Sequence, residues 1–325
     1  MFFLSCENNE LDKPNILFIM SDDHTSQAWG IYGGVLADYV KNDGIKRLEK
    51  SGLVLENLFC TNSICVPSRA SILTGQYSHI NGVYNLPDAL DTDSLNVSKI
   101  LQKNGYQTSL IGKWHLKKEP SGFDYYKVLP GQGLYNDPYF KTKENWKDGY
   151  QGGEREKGFS SDIIGDSSIE WLKKIDRNKP FFMMTHFKAT HEPFDYPERH
   201  KSLNENIVFP EPTSLYEFDS KESGRNHLGQ IVEHLTERWQ NDLKNEIRRY
   251  PGNAFDTQNL SRKEIRSKTY QKFITDFLRC GASIDDNIVK ILDYLEKESL
   301  IDNTVIIYTS DQGYFLGEHG YMDKR

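Results

Sequence analysis

The sequence predicts an α/β fold built around a largely parallel sheet. Short apolar runs rich in β-branched and aromatic residues alternate along the chain with longer amphipathic segments. Clusters of polar residues follow directly on several of these apolar runs. Strands that alternate with helices are typical of a parallel sheet covered by helices, and 325 residues suffice for one large or two modest domains.

The elements follow from these patterns in chain order. The predicted strands are residues 15–20, 53–59, 107–111, 181–187 and 304–309, each a short apolar run. The predicted helices are residues 44–50, a helix starting near Pro67, and residues 94–103, 162–175 and 270–298. In the last of these, Phe273, Phe277, Ile284 and Ile288 fall on or near one stripe, as in an amphipathic helix that packs on a sheet.

Residues 197–268 differ from the rest because they are polar, rich in loops and lack a strong strand pattern. We interpret them as an insertion near the mouth of a site, although a plain surface excursion is equally compatible. They contain one amphipathic helix, predicted from apolar residues at i+4 spacing. These residues are Ile231, Leu235, Trp239, Leu243 and Ile247.

Composition excludes some classes of function. The 40 basic and 47 acidic residues give a net charge of −7, so we expect no nucleic-acid partner. A small anionic ligand stays compatible with this charge, since local basic residues bind it. No apolar window reaches the length of a membrane-spanning helix.

The first residues look like the end of a bacterial lipoprotein signal. Residues 1–12 contain Phe2-Phe3-Leu4-Ser5-Cys6, which would make Cys6 a lipid anchor and the protein periplasmic or attached to the cell surface. The basic region of such a signal is missing, so the true start is expected further upstream. A disordered tail with an unrelated cysteine is the alternative. Cys60 and Cys280 either pair in an oxidising compartment or are two free buried thiols.

Polar clusters lie where the predicted strands end. In open α/β sheets the ligand crevice lies outside the carboxyl ends of the strands, so we expect these clusters to meet there. The clusters are residues 21–24, 112–116, 190–194, 310–313 and, soon after, 317–320 with Lys324.

Asp22, Asp23 and Asp311 supply three carboxylates, and Gln312 supplies an amide oxygen. Hard oxygen ligands of this kind suit Ca²⁺, or Mg²⁺, rather than zinc. A cation would also keep three carboxylates from repelling an anionic ligand. Turn and helix-capping chemistry is the alternative explanation for the Asp22–Asp23 pair alone.

The segment around Cys65 carries the most specific signal. Cys65-Val66-Pro67-Ser68-Arg69-Ala70 continues into Leu73-Thr74-Gly75, and a helix starting near Pro67 would bring Arg69 close to Cys65 with the positive helix end toward an anion. A small buried cysteine beside a proline-capped helix is the structural alternative. The segment resembles the C-x-P-S-R-A signature of type I sulfatases, in which the cysteine is oxidised to formylglycine.

This resemblance implies a fold and a domain organisation. It implies an alkaline-phosphatase-like three-layer α/β/α sandwich, with residues 13–325 as the sulfatase catalytic domain. The chain stops directly after a motif, without a helix stop or closing strand. We therefore expect the smaller C-terminal subdomain of such sulfatases to be missing from it.

The resemblance also implies roles for single residues. Gly112-Lys113-Trp114-His115 is similar to the G-K-W-H segment of the family, in which the lysine contacts sulfate and the histidine takes a proton from the covalent hemiacetal. On an extended stretch, Lys113 and His115 would point to the same side. His191 would bind sulfate and protonate the leaving alcohol, and Lys324 would complete the sulfate pocket. Arg69 and the cation would hold a hydroxyl of hydrated formylglycine.

Two assignments depart from this pattern or stay open. Many relatives have Asn where this chain has Gln312; both offer an amide oxygen, but the side chain of Gln reaches farther. His319 is a further candidate for the leaving-group acid or a substrate contact. The remaining histidines are expected to be structural or at the surface: His24, His79, His186, His200, His227 and His234.

The resemblance implies a sulfuric ester hydrolase that acts on a sulfated sugar or glycosaminoglycan fragment and depends on a formylglycine maturation enzyme. Residues 311–325 look like those of N-acetylglucosamine-6-sulfatase relatives. One alternative is a phosphatase or phosphodiesterase on the same scaffold, with Ser or Thr as nucleophile and two zinc ions. Another is a non-catalytic glycan-binding lipoprotein whose Cys65 is never oxidised.

Overall fold

The structure, a computed structural model, describes residues 13–217, 230–236 and 255–324. A seven-stranded sheet with the order β5-β4-β3-β2-β6-β1-β7 forms its centre. Strands β3, β2, β6, β1 and β7 run parallel, and at one end β4 pairs antiparallel with both β3 and β5. The strands are β1 (Asn15–Ser21), β2 (Gln107–Lys113), β3 (Tyr125–Leu129), β4 (Tyr139–Thr142), β5 (Glu154–Arg155), β6 (Phe181–His186) and β7 (Thr304–Ser310).

This arrangement confirms the predicted α/β fold with a largely parallel sheet. All six residues of β6 are buried, and six of the seven in β2 are buried. Strands that are covered on both faces read as continuous apolar runs, which explains why the sequence pattern located them. A separate two-stranded ribbon of β8 (Phe315–Leu316) and β9 (Met322–Asp323) follows the sheet.

Helices cover both faces of the sheet and produce three layers. On one face α1, α5 and α6 enclose a core with Leu17, Met183 and Phe277, and on the other α2 and α4 pack near Phe182 and Met184. The helices are α1 (Asp43–Ser51), α2 (Cys65–Thr74), α3 (Ser78–Asn81), α4 (Val97–Lys103), α5 (Ser160–Leu172) and α6 (Arg262–Lys297). No helix in the described ranges has both the length and the apolar character that crossing a bilayer requires.

Local signals explain two of the helix boundaries. Helix α2 ends before Gly75, which takes the left-handed conformation (φ 67°) that favours glycine after a helix. Helix α6 begins at Arg262, ahead of the predicted start at residue 270. Its N-cap residue is Ser261, which forms a capping box with Glu264. The first turns of α6 are polar, so the apolar stripe alone did not reveal them.

The predicted strand at residues 53–59 is wrong. In the structure this segment is a loop between α1 and α2, and Leu53 and Phe59 lie at the surface. A strand is stable only when a neighbour satisfies its backbone groups, and no described strand pairs with this segment. The apolar pattern is therefore present without its pairing partner.

Some predictions fall outside the described residues. Cys6 and residues 1–12 are among them, as are His227 and the larger part of the amphipathic helix predicted from Ile231 to Ile247. Within the described part, Ile231 forms a bridge with Tyr321, and the Val232 amide donates to the Gly320 carbonyl. Residues 230–236 therefore pack on the segment that leads to Lys324.

The structure distinguishes between the two alternatives for the cysteines. Cys60 and Cys280 are both free thiols, the first exposed and the second buried. The Cys280 thiol donates a hydrogen bond to the Tyr135 hydroxyl at 3.4 Å. The alternative of two free thiols is therefore correct. The expectation that both are buried holds for Cys280 but is wrong for Cys60, which is exposed.

Candidate active site

The polar clusters meet at the carboxyl ends of four neighbouring parallel strands. Asp22 and Asp23 follow β1, Lys113 ends β2, His191 lies past β6, and Asp311 with Gln312 follows β7. Helix α2 contributes Cys65 and Arg69 from its first two turns, and Lys324 follows β9. The crevice expected at this edge of the sheet is therefore where the predicted site residues come together.

The three aspartates form the acidic centre of the site. Asp22, Asp23 and Asp311 are all fully buried. The Asp23 amide donates to Asp311 Oδ1 at 3.0 Å and thereby joins the loops after β1 and β7. One carboxylate oxygen of each aspartate and Cys65 Sγ lie within 4.8 Å of one another.

Three cationic side chains neutralise these carboxylates. Arg69 donates from Nε to Asp311 Oδ2 at 2.9 Å, from Nη1 to the Lys113 carbonyl at 2.8 Å, and from Nη2 to Asp22 Oδ1 at 3.3 Å. Lys113 Nζ pairs with Asp22 Oδ2, and Lys324 Nζ pairs with Asp23 Oδ2. The structure thus brings together the predicted acidic and basic residues, each with a partner of opposite charge.

The pKa values of the aspartates reflect the cost of placing three carboxylates together. Burial raises the pKa of Asp311 to about 8 despite the nearby Arg69, and the other two carboxylates add to the rise. Burial also raises the pKa of Asp23, which Lys324 only partly offsets. For Asp22, burial is outweighed by Lys113, His191, Arg69 and Lys324, so its pKa lies well below the usual value. A further cation would stabilise the fully ionised cluster.

The donor set fits a divalent cation that prefers oxygen. Three carboxylates converge, and the Oε1 atom of Gln312 is buried without a hydrogen-bond partner among the described residues. Its Nε2 atom instead approaches Asp23 Oδ1 and lies 3.5 Å from Cys65 Sγ. A buried amide oxygen that no donor satisfies is a suitable additional ligand for such an ion.

Cys65 is the first residue of α2 and is buried against this cluster. Its Sγ atom lies 3.9 Å from Asp23 Oδ1. Burial, and next the charge of Asp22, raise the pKa of the Cys65 thiol to about 12. The thiolate is the reactive form of cysteine, so an unmodified Cys65 is a poor nucleophile at neutral pH.

His115 lies near the positive charges of Lys113 and Arg69. The backbone conformation that brings it there differs from the extended one predicted from the sequence. The prediction of an extended stretch from Lys113 to His115 is wrong, because His115 has φ 59° and turns the chain out of β2. Burial, followed by the charges of Lys113 and Arg69, lowers its pKa to about 2. Its ring is therefore neutral, and its buried Nδ1 has no hydrogen-bond partner in the part of the chain that the structure describes.

His191 faces the acidic centre with one ring nitrogen. Its Nε2 lies 3.8 Å from Asp23 Oδ2, and its Nδ1 lies 2.7 Å from the Glu192 carbonyl. Since a carbonyl only accepts, Nδ1 carries the proton and Nε2 is unprotonated in the neutral ring. Burial, and next Lys113, hold the pKa of His191 well below its usual value.

Two residues of the site were missed at the sequence level. Gln132 Oε1 accepts from Lys113 Nζ at 2.6 Å. Lys188 is fully buried with Nζ 4.7 Å from the centre of the Tyr135 ring, and the Tyr135 hydroxyl donates to the His191 carbonyl at 2.6 Å. Both residues follow a parallel strand closely, which is the signal that would have found them.

Most of the other histidines lie outside the acidic centre. His24 is buried and stacks on Trp29, with ring centroids 4.2 Å apart, and His186 Nδ1 lies 3.1 Å from the Lys113 carbonyl. His200 pairs with Asp286, while His79 is exposed and His234 is partly buried. His319 is mostly exposed and its Nδ1 lies 2.8 Å from Glu217 Oε2. The structure therefore places His319 at the surface, paired with Glu217.

Comparison with known proteins connects this site to a family. Residues 14–325 match the family model described as sulfatase. The chain is 38% identical to an N-acetylglucosamine-6-O-sulfatase of Bacteroides thetaiotaomicron, over 99% of this chain and 62% of that protein. It is 25% identical to the human N-acetylglucosamine-6-sulfatase, over 96% of this chain and 54% of that protein.

A solved structure gives the same answer for the fold. It shares 35% sequence identity with this chain at a TM-score of 0.84, and the match covers 96% of this chain and 68% of the other. That protein is described in complex with its substrate D-glucosamine-2-N,6-O-disulfate. The match confirms the alkaline-phosphatase-like α/β fold. The chain spans somewhat less than two thirds of the length of the two relatives named above.

Proposed function

Because the chain belongs to the sulfatase family, we propose that its full-length parent hydrolyses sulfate esters of a sulfated glucosamine in a sugar or glycosaminoglycan fragment. The observation that carries this proposal is the packing of Cys65 and Arg69 against the buried carboxylates of Asp22, Asp23 and Asp311. The sugar is proposed from the similar proteins: one is named N-acetylglucosamine-6-O-sulfatase, and the matched solved structure is described in complex with a glucosamine disulfate.

We propose that Asp22, Asp23, Asp311 and Gln312 hold one Ca²⁺, or Mg²⁺. Such an ion would neutralise the acidic centre and polarise an oxygen of the sulfate group. With this ion bound, the negative charge of the carboxylates would no longer need to be neutralised by Lys113 and Lys324. These two ammonium groups would then be available to bind the sulfate oxygens.

Residue 65 is the proposed nucleophile after oxidation to formylglycine and hydration to a geminal diol. One hydroxyl loses its proton to water and attacks sulfur, the bond from sulfur to the sugar oxygen breaks, and the sugar leaves as an alcohol after it takes up a proton. The second hydroxyl then gives up its proton, the aldehyde forms again, and the bond from carbon to the sulfate oxygen breaks. Water then adds to the aldehyde and restores the geminal diol, so the cycle closes without hydrolysis of a stable ester.

The two histidines are proposed to move these protons. His115 is neutral and its Nδ1 has no hydrogen-bond partner among the described residues, so it would accept the proton of the second hydroxyl once the negative charge of the bound sulfate raises its low pKa. His191 would donate to the leaving sugar oxygen from Nε2. A bound sulfate dianion or ester would raise the pKa of His191, since a nearby anion favours the protonated ring.

We also propose the cellular setting that the sequence suggests. Oxidation of Cys65 would require a formylglycine maturation enzyme as a transient partner, which would supply an external oxidant and remove the thiol sulfur. Cys6 would carry a lipid anchor and hold the enzyme in the periplasm or at the cell surface. Mass analysis of the N-terminal peptide from the native host would test the anchor, and an unmodified Cys6 would contradict it.

The central experiment is a desulfation screen with the full-length protein, coexpressed with a maturation enzyme. We expect sulfate release from 6-O-sulfated N-acetylglucosamine and a Cys65 peptide lighter than its cysteine form. Cys65→Ala should abolish release, whereas Cys60→Ala serves as the matched control.

Each rival function predicts a different outcome of this screen. Turnover of phosphate esters with two zinc ions per chain would favour a phosphatase or phosphodiesterase. Binding of the sulfated sugar without turnover, together with an unmodified thiol at Cys65, would favour a non-catalytic glycan-binding protein.

A further inference from the structure

Arg266 is a fully buried cation outside the acidic centre. It lies in the second turn of α6, and its Nε and Nη2 atoms donate to the carboxylate oxygens of Glu233 at 2.6 and 2.7 Å. Its Nη1 atom donates to the carbonyls of Leu215 and Glu217 at 2.9 and 3.3 Å. These acceptors belong to two separate segments of residues 197–268. Arg266 therefore joins both segments to α6.

The turn between β8 and β9 lies directly against this guanidinium. Gly320 in that turn has φ 70°, and a Cβ atom placed on it would lie 3.0 Å from Arg266 Cζ and closer still to Nη1. Hydrogen bonds hold the guanidinium in place, so it cannot withdraw to admit a side chain. The Val232 amide, next to Glu233, donates to the Gly320 carbonyl at 2.9 Å. Arg266 and the segment that binds it thus both fix the position of this turn.

The ribbon of β8 and β9 leads directly to Lys324. The Met322 amide donates to the Gln230 carbonyl at 2.9 Å, and Gln230 Nε2 donates to Asp323 Oδ2 at 2.7 Å. The other carboxylate oxygen of Asp323 accepts from the Lys324 amide at 2.8 Å. The Lys324 ammonium in turn pairs with Asp23 in the acidic centre. A continuous set of contacts therefore runs from the turn at Gly320 to the cation of the site.

Lys324 depends on this support more than the other cations of the site do. Lys113 ends a central strand and Arg69 lies in α2, whereas Lys324 follows a ribbon that pairs with no strand of the sheet in the described ranges. A lysine has a long flexible stem with a single charged group at its end. Its ammonium group is held at one position only if the backbone that carries it is fixed.

We propose that Arg266 is a positioning residue that, through Gly320 and the ribbon, holds Lys324 where sulfate binds. The inference rests on the proposed function for the role of Lys324. The alternative is that the ion pair with Glu233 only holds residues 230–236 on α6. Desolvation offsets much of the attraction within a buried ion pair, so stability alone is a weak reason for this pair.

The first test is a double-mutant cycle with the full-length, matured protein. We expect Arg266→Met to lower kcat/KM for the sulfated sugar by about ten- to a hundredfold when Lys324 is present, and by less than about threefold in the Lys324→Ala background. Loss of the support matters only while the supported lysine is there. An equal factor in the two backgrounds, or no loss in either, would overturn the proposal.

Arg262→Met is the matched control for this cycle. Arg262 also belongs to α6 and donates to Glu233 at 2.8 Å, but it is 42% exposed. Its replacement should change kcat/KM by less than about twofold. If Arg266→Met does not fold, Arg266→Lys decides the question, since it keeps a charge beside Glu233 without the fork that reaches the Leu215 carbonyl. It should lower kcat/KM by at least about threefold, again only when Lys324 is present.

The second test needs no turnover, so it separates a failure of this proposal from a failure of the proposed function. Reductive methylation followed by mass analysis compares Lys324, whose side chain is 8% exposed, with Lys141, which is buried in β4. In Arg266→Met or Arg266→Lys, Lys324 should be methylated at least about fivefold faster than in the wild type, while Lys141 stays slow. Unchanged methylation of Lys324 would overturn the proposal. An equal increase at Lys141 would show general loosening of the fold and overturn it as well.

Discussion

Arg69 illustrates how one side chain holds the site together. Its guanidinium is buried and donates to two carboxylates and to the Lys113 carbonyl, so it joins loops that follow β1, β2 and β7. The planar group reaches three acceptors from one position, which the single ammonium of lysine does not reproduce. The burial of Arg69, rather than its charge alone, makes it difficult to replace.

We therefore expect Arg69→Lys to lower the free energy of unfolding by about 3 kcal/mol, since it leaves buried carboxylates without their partner. Denaturant unfolding of the full-length protein would measure this loss. The control is Arg177→Lys, whose partner Glu298 is at the surface, and it should cost less than about 1 kcal/mol. A similar cost for both variants would contradict the structural role of Arg69.

Gln132 is a second residue with a testable role. The Lys113 ammonium only donates, so the Gln132 carbonyl oxygen must face it and orient it. Loss of a hydrogen bond to a charged group costs about 1.5–3 kcal/mol. We expect Gln132→Leu to lower kcat/KM for the sulfated sugar by about ten- to a hundredfold, and Gln132→Asn to be less impaired.

The matched control for this experiment is Gln102→Leu. Gln102 also makes a side-chain hydrogen bond, to Asp124, but at an exposed position on α4. Its kcat/KM should stay near that of the wild type. An unchanged kcat/KM for Gln132→Leu would show that Lys113 does not depend on this contact.

At the scale of elements, α6 and α1 are joined by a buried carboxylate. Asp285 of α6 accepts from the amides of Gly44 and Ile45 at 2.9 and 3.0 Å through the same oxygen. Burial raises the pKa of Asp285 to about 6, although these two amides oppose the rise. The helix N-terminus is thus capped by an acid that is costly to ionise.

This arrangement predicts a pH dependence of stability. The pKa of Asp285 is higher in the folded than in the unfolded chain. The stability that Asp285 contributes is therefore fully present below about pH 4, and it is lost as pH rises through about 6. Asp285→Asn keeps the accepting oxygen without the charge. Relative to wild type, the variant should gain about 3 kcal/mol in unfolding free energy between about pH 4 and pH 7.

Denaturant unfolding at several pH values would measure this difference. Asp302→Asn is the control, since Asp302 is exposed in the turn before β7. A difference between wild type and Asp285→Asn that does not change with pH would contradict the prediction.

At the scale of the whole molecule, a bound cation would link stability to ligand concentration. The acidic centre joins the ends of β1 and β7 to α2, so an ion there would bind the folded chain and not the unfolded one. At about a hundredfold excess over Kd, such binding stabilises a protein by about 2.7 kcal/mol. We expect Ca²⁺ or Mg²⁺ to raise Tm and a chelator to reverse the rise.

The acidic centre itself supplies the variant for this test. Asp311→Asn should remove the dependence of Tm on the cation, whereas Asp162→Asn should retain it, since Asp162 belongs to a surface ion pair with Arg199. Thermal unfolding with and without the ion measures both. An equal response of the two variants would contradict a cation at Asp311.

Sequence patterns, together with the resemblance to the sulfatase motifs, predicted the fold and named most of the residues that the structure brings together at the acidic centre. The buried strands could be predicted because a strand covered on both faces is continuously apolar. Five site residues could be predicted because they lie in short motifs or at strand ends: Asp22, Asp23, Cys65, Arg69 and Asp311. These features depend on neighbours in sequence, so no three-dimensional information was needed to find them.

Only the tertiary structure decided how these residues act on one another. Contacts such as Gln132 with Lys113 join loops of different strands, and the pKa values of Cys65 and Asp311 follow from burial by the whole fold. The loop at residues 53–59 also separates local from long-range effects. Its apolar pattern is local, but a strand forms only where a neighbouring strand accepts and donates hydrogen bonds to its backbone groups. Long-range packing sets the electrostatics and the pairing, and no local pattern encodes either of them.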